Sequence, residues 1–295
     1  MTTTYLQSPP GRGVAIPRSR PVVIYDSGVG GLTVARHLIQ LLPSEDLLFV
    51  ADNGWFPYGD KNDLALRARI YGVLHAITES ANPRAVVIAC NTASTAVASS
   101  LDDLGAEVPM FPVIPPIAQT AEAVRGGTVA VLGTPSTTRR SLVRRLVDEQ
   151  RDVSKFELIG SMELVHLAEK KLAGQPVTSE EVVEALDLVV PASVRAGVDG
   201  VILACTHFPW LLDELQPAFP NARVWSDPAR DVARKVMAHV PARSQPPRED
   251  VVRVLNLTSN HNREELGPVF ARHGFWAGPS LAFASSVNSP SLQTG

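Results

Sequence analysis

Two short stretches decide the fold: VVIACNT at residues 86–92 and VILACTH at residues 201–207. Each is an apolar run typical of a buried strand, and each ends in a cysteine that polar residues follow. Their cysteines, Cys90 and Cys205, are 115 positions apart, which is about the length of one domain. We interpret them as one element used twice, and predict two similar α/β halves with a cysteine at a strand end in each. Open α/β sheets bind their ligands at the C-terminal ends of the strands.

Predicted strands and helices alternate around these two stretches. Residues 22–25 form an apolar run, a glycine-rich turn at 26–31 follows, and residues 32–42 have the spacing of an amphipathic helix. The same patterns predict further strands at 47–50, 85–89, 129–132 and 201–204, and helices at 64–80, 93–101, 142–147, 163–172 and 179–196. This alternation favours parallel sheets covered by helices.

Prolines divide the chain into its two halves. Residues 108–116 contain Pro109, Pro112, Pro115 and Pro116, so we interpret the segment as a crossing between domains. We predict a flexible N-terminal arm at 1–21, a first domain formed by 22–113 with 227–275, a second domain at 114–226, and a flexible tail at 276–295.

Composition excludes several classes of protein. The chain has 295 residues, 27 Lys and Arg against 30 Asp and Glu, and a net charge of −3, which is not the charge pattern of a nucleic-acid-binding protein. Two cysteines cannot form a disulfide framework, and no apolar run reaches the roughly 20 residues that span a bilayer. We therefore expect a cytoplasmic protein with no nucleic-acid or membrane partner.

The glycine turn after the first strand is unlike a dinucleotide-binding loop. A Gly-x-Gly-x-x-Gly pattern that began at Gly28 would need glycine at position 33, which is Thr33. Asp26 is also an unfavourable residue beside a phosphate. Two roles remain for Asp26: an acid/base group at a strand end, or a cap of the next helix.

A single free cysteine is more often a small buried side chain than a reactive group. The repetition of Cys90 and Cys205 favours chemistry instead, since a thiol with a pKa near 8.5 can accept or donate a proton when its neighbours adjust it. Three alternatives stay open: a disulfide, a zinc site that also uses His207, and a Cys/His hydrolase with His207 as base.

Two polar segments could each belong to a binding site or be ordinary surface structure. Residues 52–61 include a Pro-Tyr-Gly turn whose backbone N–H groups suit an anion, although the segment is also typical of a surface turn. Four arginines at helical spacing are candidates for substrate attraction, but a solvated helix face is the favoured interpretation of Arg139, Arg140, Arg144 and Arg145.

The motifs together resemble, in order and spacing, those of the glutamate racemases within the aspartate/glutamate racemase family. The similarity runs from about residue 22 to residue 275, and it rests on DSGVGGLT at 26–33, PYG at 57–59, CNTAS at 90–94 and CTHFP at 205–209. The resemblance implies two pseudosymmetric α/β domains, flavodoxin-like or Rossmann-like, with parallel sheets and the active site in the cleft between them.

The same resemblance implies the reaction and the roles of the residues. Cys90 and Cys205 would be the two bases on opposite faces of the substrate Cα, with Asp26 assisting Cys90, and His207 with Glu169 assisting Cys205. The residues implied to bind the carboxylates and the ammonium group of the substrate are Asp26, Ser27, Tyr58, Gly59, Asn91, Thr92, Thr206 and His207. No cofactor and no metal would take part.

The expected function is interconversion of L- and D-glutamate, which supplies D-glutamate for peptidoglycan. Alternatives are a racemase for aspartate or another amino acid, and a racemase-like protein that binds a partner through Trp55 and Phe56. The chain departs from the family at Ser161-Met162 and at Pro115-Pro116-Ile117, which leaves side-chain specificity and domain contacts open. A homodimer is compatible with the sequence, which does not determine the oligomeric state.

Overall fold

The computed structural model describes residues 20–101, 108–240 and 251–278, and within them the strands form two sheets. In chain order the strands are β1 Val22–Asp26, β2 Leu47–Ala51, β3 Ala85–Ile88, β4 Met110–Pro112, β5 Thr128–Gly133, β6 Lys155–Gly160, β7 Gly200–Ala204, β8 Val224–Ser226, β9 Arg253–Leu257 and β10 Trp276–Ala277. One sheet has the order β10-β9-β2-β1-β3-β4 and the other β6-β5-β7-β8. The strand pairs described are all parallel, which confirms the predicted fold class.

Helices connect these strands, as parallel pairing requires. They are α1 Leu32–Leu41, α2 Asp63–Ala81, α3 Asn91–Val97, α4 Ile117–Ala123, α5 Pro135–Arg139, α6 Ser141–Asp148, α7 Glu163–Leu172, α8 Ser179–Asp187, α9 Ala192–Arg195, α10 Leu212–Leu215, α11 Ala229–His239 and α12 Arg263–Arg272. Short 3₁₀ turns occur at Tyr58–Asp60, Ala98–Ser100, Phe208–Leu211 and Gln216–Ala218.

Both faces of each sheet are buried, which explains why the central strands are continuous apolar runs. On β1, Val22 and Ile24 pack in one core with residues of α1 and α11, while Val23 and Tyr25 pack in another with residues of α2 and α3. The second sheet repeats the arrangement: α7 and α8 cover one face, and α4 and α6 cover the other.

The strand order creates one ligand-binding crevice in each sheet. β1 lies between β2 and β3, and β5 lies between β6 and β7, so the chain reverses direction across the sheet at β1 and at β5. Crevices of this kind open at the C-terminal ends of the strands. Asp26 and Cys90 are at the first crevice, and Thr134 and Cys205 are at the second.

Three local predictions differ from the structure. The predicted helix 179–196 is two helices, α8 and α9, because Pro191 cannot continue the first. The proline-rich crossing at 108–116 includes β4, which pairs with β3 at the edge of the larger sheet, a position that tolerates Pro112. Strands β6 and β9 were not predicted from the sequence.

The predicted ends of the chain are only partly within the described residues. Trp276–Ala277 is β10 and pairs with β9, so the flexible tail predicted from residue 276 is wrong for these two residues. Arg20 and Pro21, assigned to the arm, hydrogen-bond to residues 82–84. Residues 1–19 and 279–295 lie outside the described residues. The predicted domain boundaries stay predictions.

In the described ranges of the chain, no helix is both long enough and apolar enough to span a membrane.

The hydroxyl of Ser94 connects α3 to the larger sheet next to Cys90. Replacing Ser94 by alanine tests how much this connection stabilises the fold. The hydroxyl donates to the Ile88 carbonyl at 2.6 Å and accepts from the Val113 N–H at 2.8 Å, in a fully buried position. Because Ser94→Ala removes two buried hydrogen bonds and leaves Ile88 and Val113 only the longer bond that they make with each other, at 3.2 Å, we expect the free energy of unfolding to fall by about 1–3 kcal/mol.

Urea denaturation measures this change, with Ser80→Ala as the matched control. The Ser80 hydroxyl bonds to the Ala76 carbonyl at an exposed position of α2, so its loss should change stability by less than about 0.5 kcal/mol. Equal effects of the two substitutions would contradict the role assigned to Ser94.

Candidate active site

Cys90 and Cys205 line a single buried cavity between the two sheets. Cys90 directly precedes α3 and Cys205 directly follows β7, and each is 6% exposed. The cavity has a volume of about 10 Å³, which is room for about one water molecule. Its walls are Ser27, Phe56, Pro57, Tyr58, Gly59, Cys90, Asn91, Thr92, Thr134, Met162, Val165, Cys205, Thr206 and His207.

Asp26 is fully buried at the end of β1, between the two halves. Its carboxylate accepts a hydrogen bond from the Gly28 N–H at 2.8 Å and one from the Thr206 hydroxyl at 3.1 Å. Burial raises the pKa of Asp26 to about 6, although the charge of His207 and these hydrogen bonds oppose the rise. A carboxyl group with this pKa exchanges protons near neutral pH, as a catalytic acid or base must.

The Cys90 thiol is held in its protonated form. Burial raises its pKa to about 12, and the negative charge of Asp26 adds to the effect. The hydroxyl oxygen of Ser27 lies 3.6 Å from the sulfur. With its pKa raised in this way, Cys90 is a proton donor at neutral pH.

Cys205 has a different partner, an imidazole that a carboxylate orients. His207 Nδ1 lies 3.9 Å from the Cys205 sulfur, and His207 Nε2 lies 2.6 Å from Glu169 Oε1. Burial alone would lower the pKa of His207, but the hydrogen bonds to Cys205 and Glu169 outweigh it and hold the pKa well above its ordinary value. A protonated imidazole beside a thiol stabilises the thiolate.

Two glycines allow the halves to approach this closely. A Cβ atom at Gly30 would lie 2.5 Å from the Thr206 hydroxyl oxygen and 2.6 Å from His207 Nδ1. A Cβ atom at Gly59 would lie 2.6 Å from the Met162 sulfur. Any side chain at either position would push the second half away from the first.

Asn91 presents an unused amide to the cavity. The side chain is 2% exposed, and neither its Nδ2 nor its Oδ1 atom has a hydrogen-bond partner among the described residues. Buried amides are nearly always paired, so an orphaned one in a cavity wall indicates a ligand that supplies both an acceptor and a donor. The next residue, Thr92, bonds at 3.0 Å to the hydroxyls of Thr134 and Thr137 in the other half.

Tyr58 lines the cavity while its hydroxyl belongs to a network behind the wall. The hydroxyl donates to Asp52 and lies 2.5 Å from the Tyr25 hydroxyl. Burial raises the pKa of Tyr58, and the neighbouring Tyr25 and Asp52 raise it further, so the phenol keeps its proton. Arg69 and Thr258 also bind the Asp52 carboxylate, at 2.6 Å and 2.5 Å.

The structure brings the residues implied by the resemblance to one place. Nine of the eleven line the cavity, and the other two, Asp26 and Glu169, bond to Thr206 and His207 in its wall. Sequence reasoning assigned no role to Asp52, Thr134 or Thr137. Thr134 follows β5 as Asp26 ends β1, so a comparison of the two halves strand by strand would have identified it.

One interpretation of the arginine cluster was wrong. Arg139, Arg144 and Arg145 are exposed, as a solvated face requires, but Arg140 is only 6% exposed and pairs with Asp63 of the first half at 2.5 Å. The spacing of the arginines along the chain could not show that Asp63, the first residue of α2, lies against Arg140.

Across the described ranges, no three or more His, Cys, Asp or Glu side chains are grouped so that they could hold a metal ion. The zinc alternative therefore has no support from the geometry of Cys90, Cys205 and His207.

The chain is similar in sequence to proteins of one family. The family model described as Asp/Glu/Hydantoin racemase matches residues 32–233. A glutamate racemase of Agrobacterium fabrum is 35% identical over 222 residues, 75% of this chain and 81% of the relative, and one of Brucella anthropi is 36% identical over 219 residues, 74% and 79%.

The fold also matches a crystal structure of Escherichia coli glutamate racemase in complex with L-glutamate and the activator UDP-MurNAc-Ala. The TM-score is 0.78 at 32% identity, with 89% of this chain and 98% of the other covered. The family model spans more than half of the chain, and the relatives match along three quarters of it. The chain therefore belongs to the aspartate/glutamate/hydantoin racemase family.

Proposed function

We propose that this chain is a glutamate racemase, an isomerase that interconverts L- and D-glutamate through two thiols and needs no cofactor. The observation that carries the proposal is the cavity in which Cys90 of one half and Cys205 of the other are both buried. Racemisation requires a base on one face of Cα and an acid on the opposite face, which two cysteines from two facing sheets can supply.

The polar groups of the cavity suit a dicarboxylic amino acid. Asn91 can donate to a carboxylate and accept from an ammonium group, and its amide is free for both among the described residues. The hydroxyls of Ser27, Thr92, Thr134 and Thr206 line the same space. The relatives in Agrobacterium fabrum, Brucella anthropi and Escherichia coli are glutamate racemases, which supports glutamate over aspartate.

In the direction from L- to D-glutamate, the Cys205 thiolate removes the α-proton. The electron pair of the broken C–H bond stays on Cα and its carboxylate, and the Cys90 thiol then delivers its proton to the opposite face. His207 stabilises the thiolate, and Glu169 stabilises the charged form of His207. The raised pKa of Cys90, about 12, keeps the proton available for this delivery.

In the opposite direction Cys90 must first become a thiolate. The positive ammonium group of a bound amino acid favours the thiolate form of Cys90, whereas the negative charge of Asp26 opposes it. Asp26, with a pKa of about 6, is the group that can accept the proton from Cys90. The two directions therefore depend on one carboxylate and one imidazole, each beside its own cysteine.

The cavity also has to exclude water while a carbanion exists. Phe56, Met162 and Val165 supply apolar walls, and the donors listed above stabilise the charge that develops on the substrate carboxylate. Because the cavity has room for about one water molecule, an amino acid binds only when the walls of the cavity move apart.

We also propose the cellular location, the pathway and the oligomeric state of the enzyme. We place the reaction in the cytoplasm, with peptidoglycan synthesis as the consumer of D-glutamate and with a homodimer as the assembly. Sedimentation of the purified protein tests the assembly independently of the reaction.

Replacing each cysteine separates the two proton transfers. In D₂O, we expect Cys90→Ala to introduce deuterium at Cα of L-glutamate without inverting it, because Cys205 can still remove and return a proton on its own face. Cys205→Ala should do the same with D-glutamate only. Racemisation should fall by about 10²–10⁴-fold or more in both variants.

Mass spectrometry with chiral chromatography measures both outcomes, and L-aspartate in parallel tests the substrate. The chain contains no third cysteine, so no other thiol can substitute. Full racemisation by either variant would exclude the two-thiol mechanism, and faster turnover of aspartate would exclude the glutamate assignment.

The raised pKa of Asp26 predicts the acid limb of the pH profile. Below a pH of about 6 the carboxyl is protonated and can no longer accept the proton of Cys90, so kcat/KM should fall about tenfold per pH unit. The fall in kcat/KM should be equal for L- and D-glutamate. The ratio of the two kcat/KM values equals the equilibrium constant, which is 1 for two enantiomers at every pH. Asp26→Asn should remove this limb and lower kcat/KM at neutral pH.

Stability supplies an independent check on Asp26. Its folded-state pKa of about 6 lies above its unfolded value of 3.8, so the stability cost of ionising it grows between about pH 4 and pH 6 and is complete at higher pH. Asp26→Asn should therefore raise the melting temperature relative to the wild type at pH 8 and not at pH 4. A variant less stable at both pH values would show that the carboxylate is structural.

Glu169 should govern the alkaline limb. With Glu169→Gln the carboxylate charge that raises the pKa of His207 is lost while burial still lowers it, so the limb should move to lower pH. Glu163→Gln is the matched control, since Glu163 lies on the same helix with its side chain 58% exposed. The proposed role fails if the pH profile of Glu169→Gln matches that of Glu163→Gln.

A further inference from the structure

A second cavity, of about 330 Å³, lies between the two halves beside the catalytic one and shares only Gly59 with it. We propose that this cavity binds a phosphate group. Its walls come from the turn at 59–61, α2 and α3 in the first half, and from α5 and the start of α6 in the second. The volume is within the range of small-molecule sites.

Arg140 is the observation that points to a ligand. The side chain is 6% exposed, lines this cavity, and its Nε atom has no hydrogen-bond partner among the described residues. Its other two nitrogens each have a partner, since Nη1 pairs with Asp63 at 2.5 Å and Nη2 donates to the Ser136 hydroxyl at 3.0 Å, and each keeps a second N–H. A buried guanidinium with an unmatched N–H in a cavity wall fits an oxyanion.

The charges around the cavity leave a positive excess that fits a dianion. Two of its four cations are paired with carboxylates, Lys61 with Asp60 at 2.7 Å and Arg140 with Asp63. The other two, Arg67 and Arg139, have no ion pair within the described part of the chain. Two uncompensated positive charges match a phosphate monoester, which carries about −1.5 to −2 at neutral pH.

The remaining groups favour phosphate over carboxylate. Ser99 of the first half and Ser136 and Ser141 of the second line the cavity, and hydroxyl groups from both halves suit a tetrahedral group better than a planar one. The first turn of α6 has no acidic residue and no side-chain cap, so its free backbone N–H groups add positive potential at Ser141. Because both halves supply donors, a bound phosphate would hold them together.

Isothermal titration of the full chain with inorganic phosphate tests the site at low, constant ionic strength. We expect one phosphate per chain. A simple alkyl phosphate monoester in a second titration distinguishes a free ion from a phosphorylated molecule as the preferred occupant, and succinate in a third tests whether a dicarboxylate binds equally well.

Four substitutions locate the site. Arg67→Gln and Arg139→Gln, at partly or fully exposed positions, should each weaken binding about threefold, while Asp63→Asn should strengthen it about threefold because it removes the competing carboxylate. Arg140→Lys should weaken binding about tenfold, since an ammonium group lacks the planar fork. Circular dichroism verifies that each variant folds.

Arg144→Gln is the matched control, an exposed arginine on α6 that does not line the cavity. It should leave phosphate binding unchanged. The gain in affinity expected of Asp63→Asn keeps the test decisive even if Arg140→Lys fails to fold.

The proposal is overturned if phosphate does not bind, if Arg67→Gln and Arg139→Gln affect binding no more than Arg144→Gln does, or if succinate binds as tightly as phosphate. Binding is measured without turnover. A protein that binds phosphate as expected and fails to racemise glutamate would therefore refute only the proposed function.

Discussion

The carboxylate of Asp26, buried between two sheets, is the group on which the arrangement of the site depends. It ends β1 of the first half and accepts a hydrogen bond from Thr206 of the second. Its negative charge contributes to keeping Cys90 protonated. One buried charge thus links the halves and sets the protonation of a thiol. Such a group is costly to bury, which is why its own pKa rises, and the close approach permitted by Gly30 is what keeps it away from water.

A second buried carboxylate, Asp52, supports the wall of the cavity in a different way. Four groups surround it: the Tyr58 hydroxyl, two nitrogens of Arg69, and the Thr258 hydroxyl. A buried carboxylate with this many hydrogen-bond donors holds its partners in fixed positions. Tyr58 is thereby held at the cavity by Asp52, which directly follows β2, and through it by Arg69 of α2 and Thr258 after β9. The catalytic carboxylate has fewer donors and a raised pKa, whereas the supporting carboxylate is fully matched.

Sequence reasoning succeeded where a pattern is local and failed where distant segments meet. The apolar runs before Cys90 and Cys205 predicted the strand ends and hence the location of the cleft, because strand burial is encoded in consecutive residues. Asp52 could not be recognised, since its partner Thr258 lies more than 200 positions away in the chain. Arg140 has the spacing of a solvated helix residue, and only the packing of the first half against it makes it buried. The role of Glu169 came from the resemblance alone, because nothing near it in the chain indicates a contact with His207.

The two halves repeat each other in fold and differ in charge, and this difference is chemically useful. Cys90 lies beside a carboxylate and Cys205 beside an imidazole that holds a proton. The two partners also act on each other, since the positive charge of His207 lowers the pKa of Asp26 against the effect of burial. Each therefore stabilises the ionised form of the other across the cavity. In the proposed reaction both thiols change protonation state in every turnover, because one accepts a proton from Cα while the other donates a proton to the opposite face. The carboxylate of Asp26 beside one thiol and the imidazole of His207 beside the other provide a partner for each of these proton transfers.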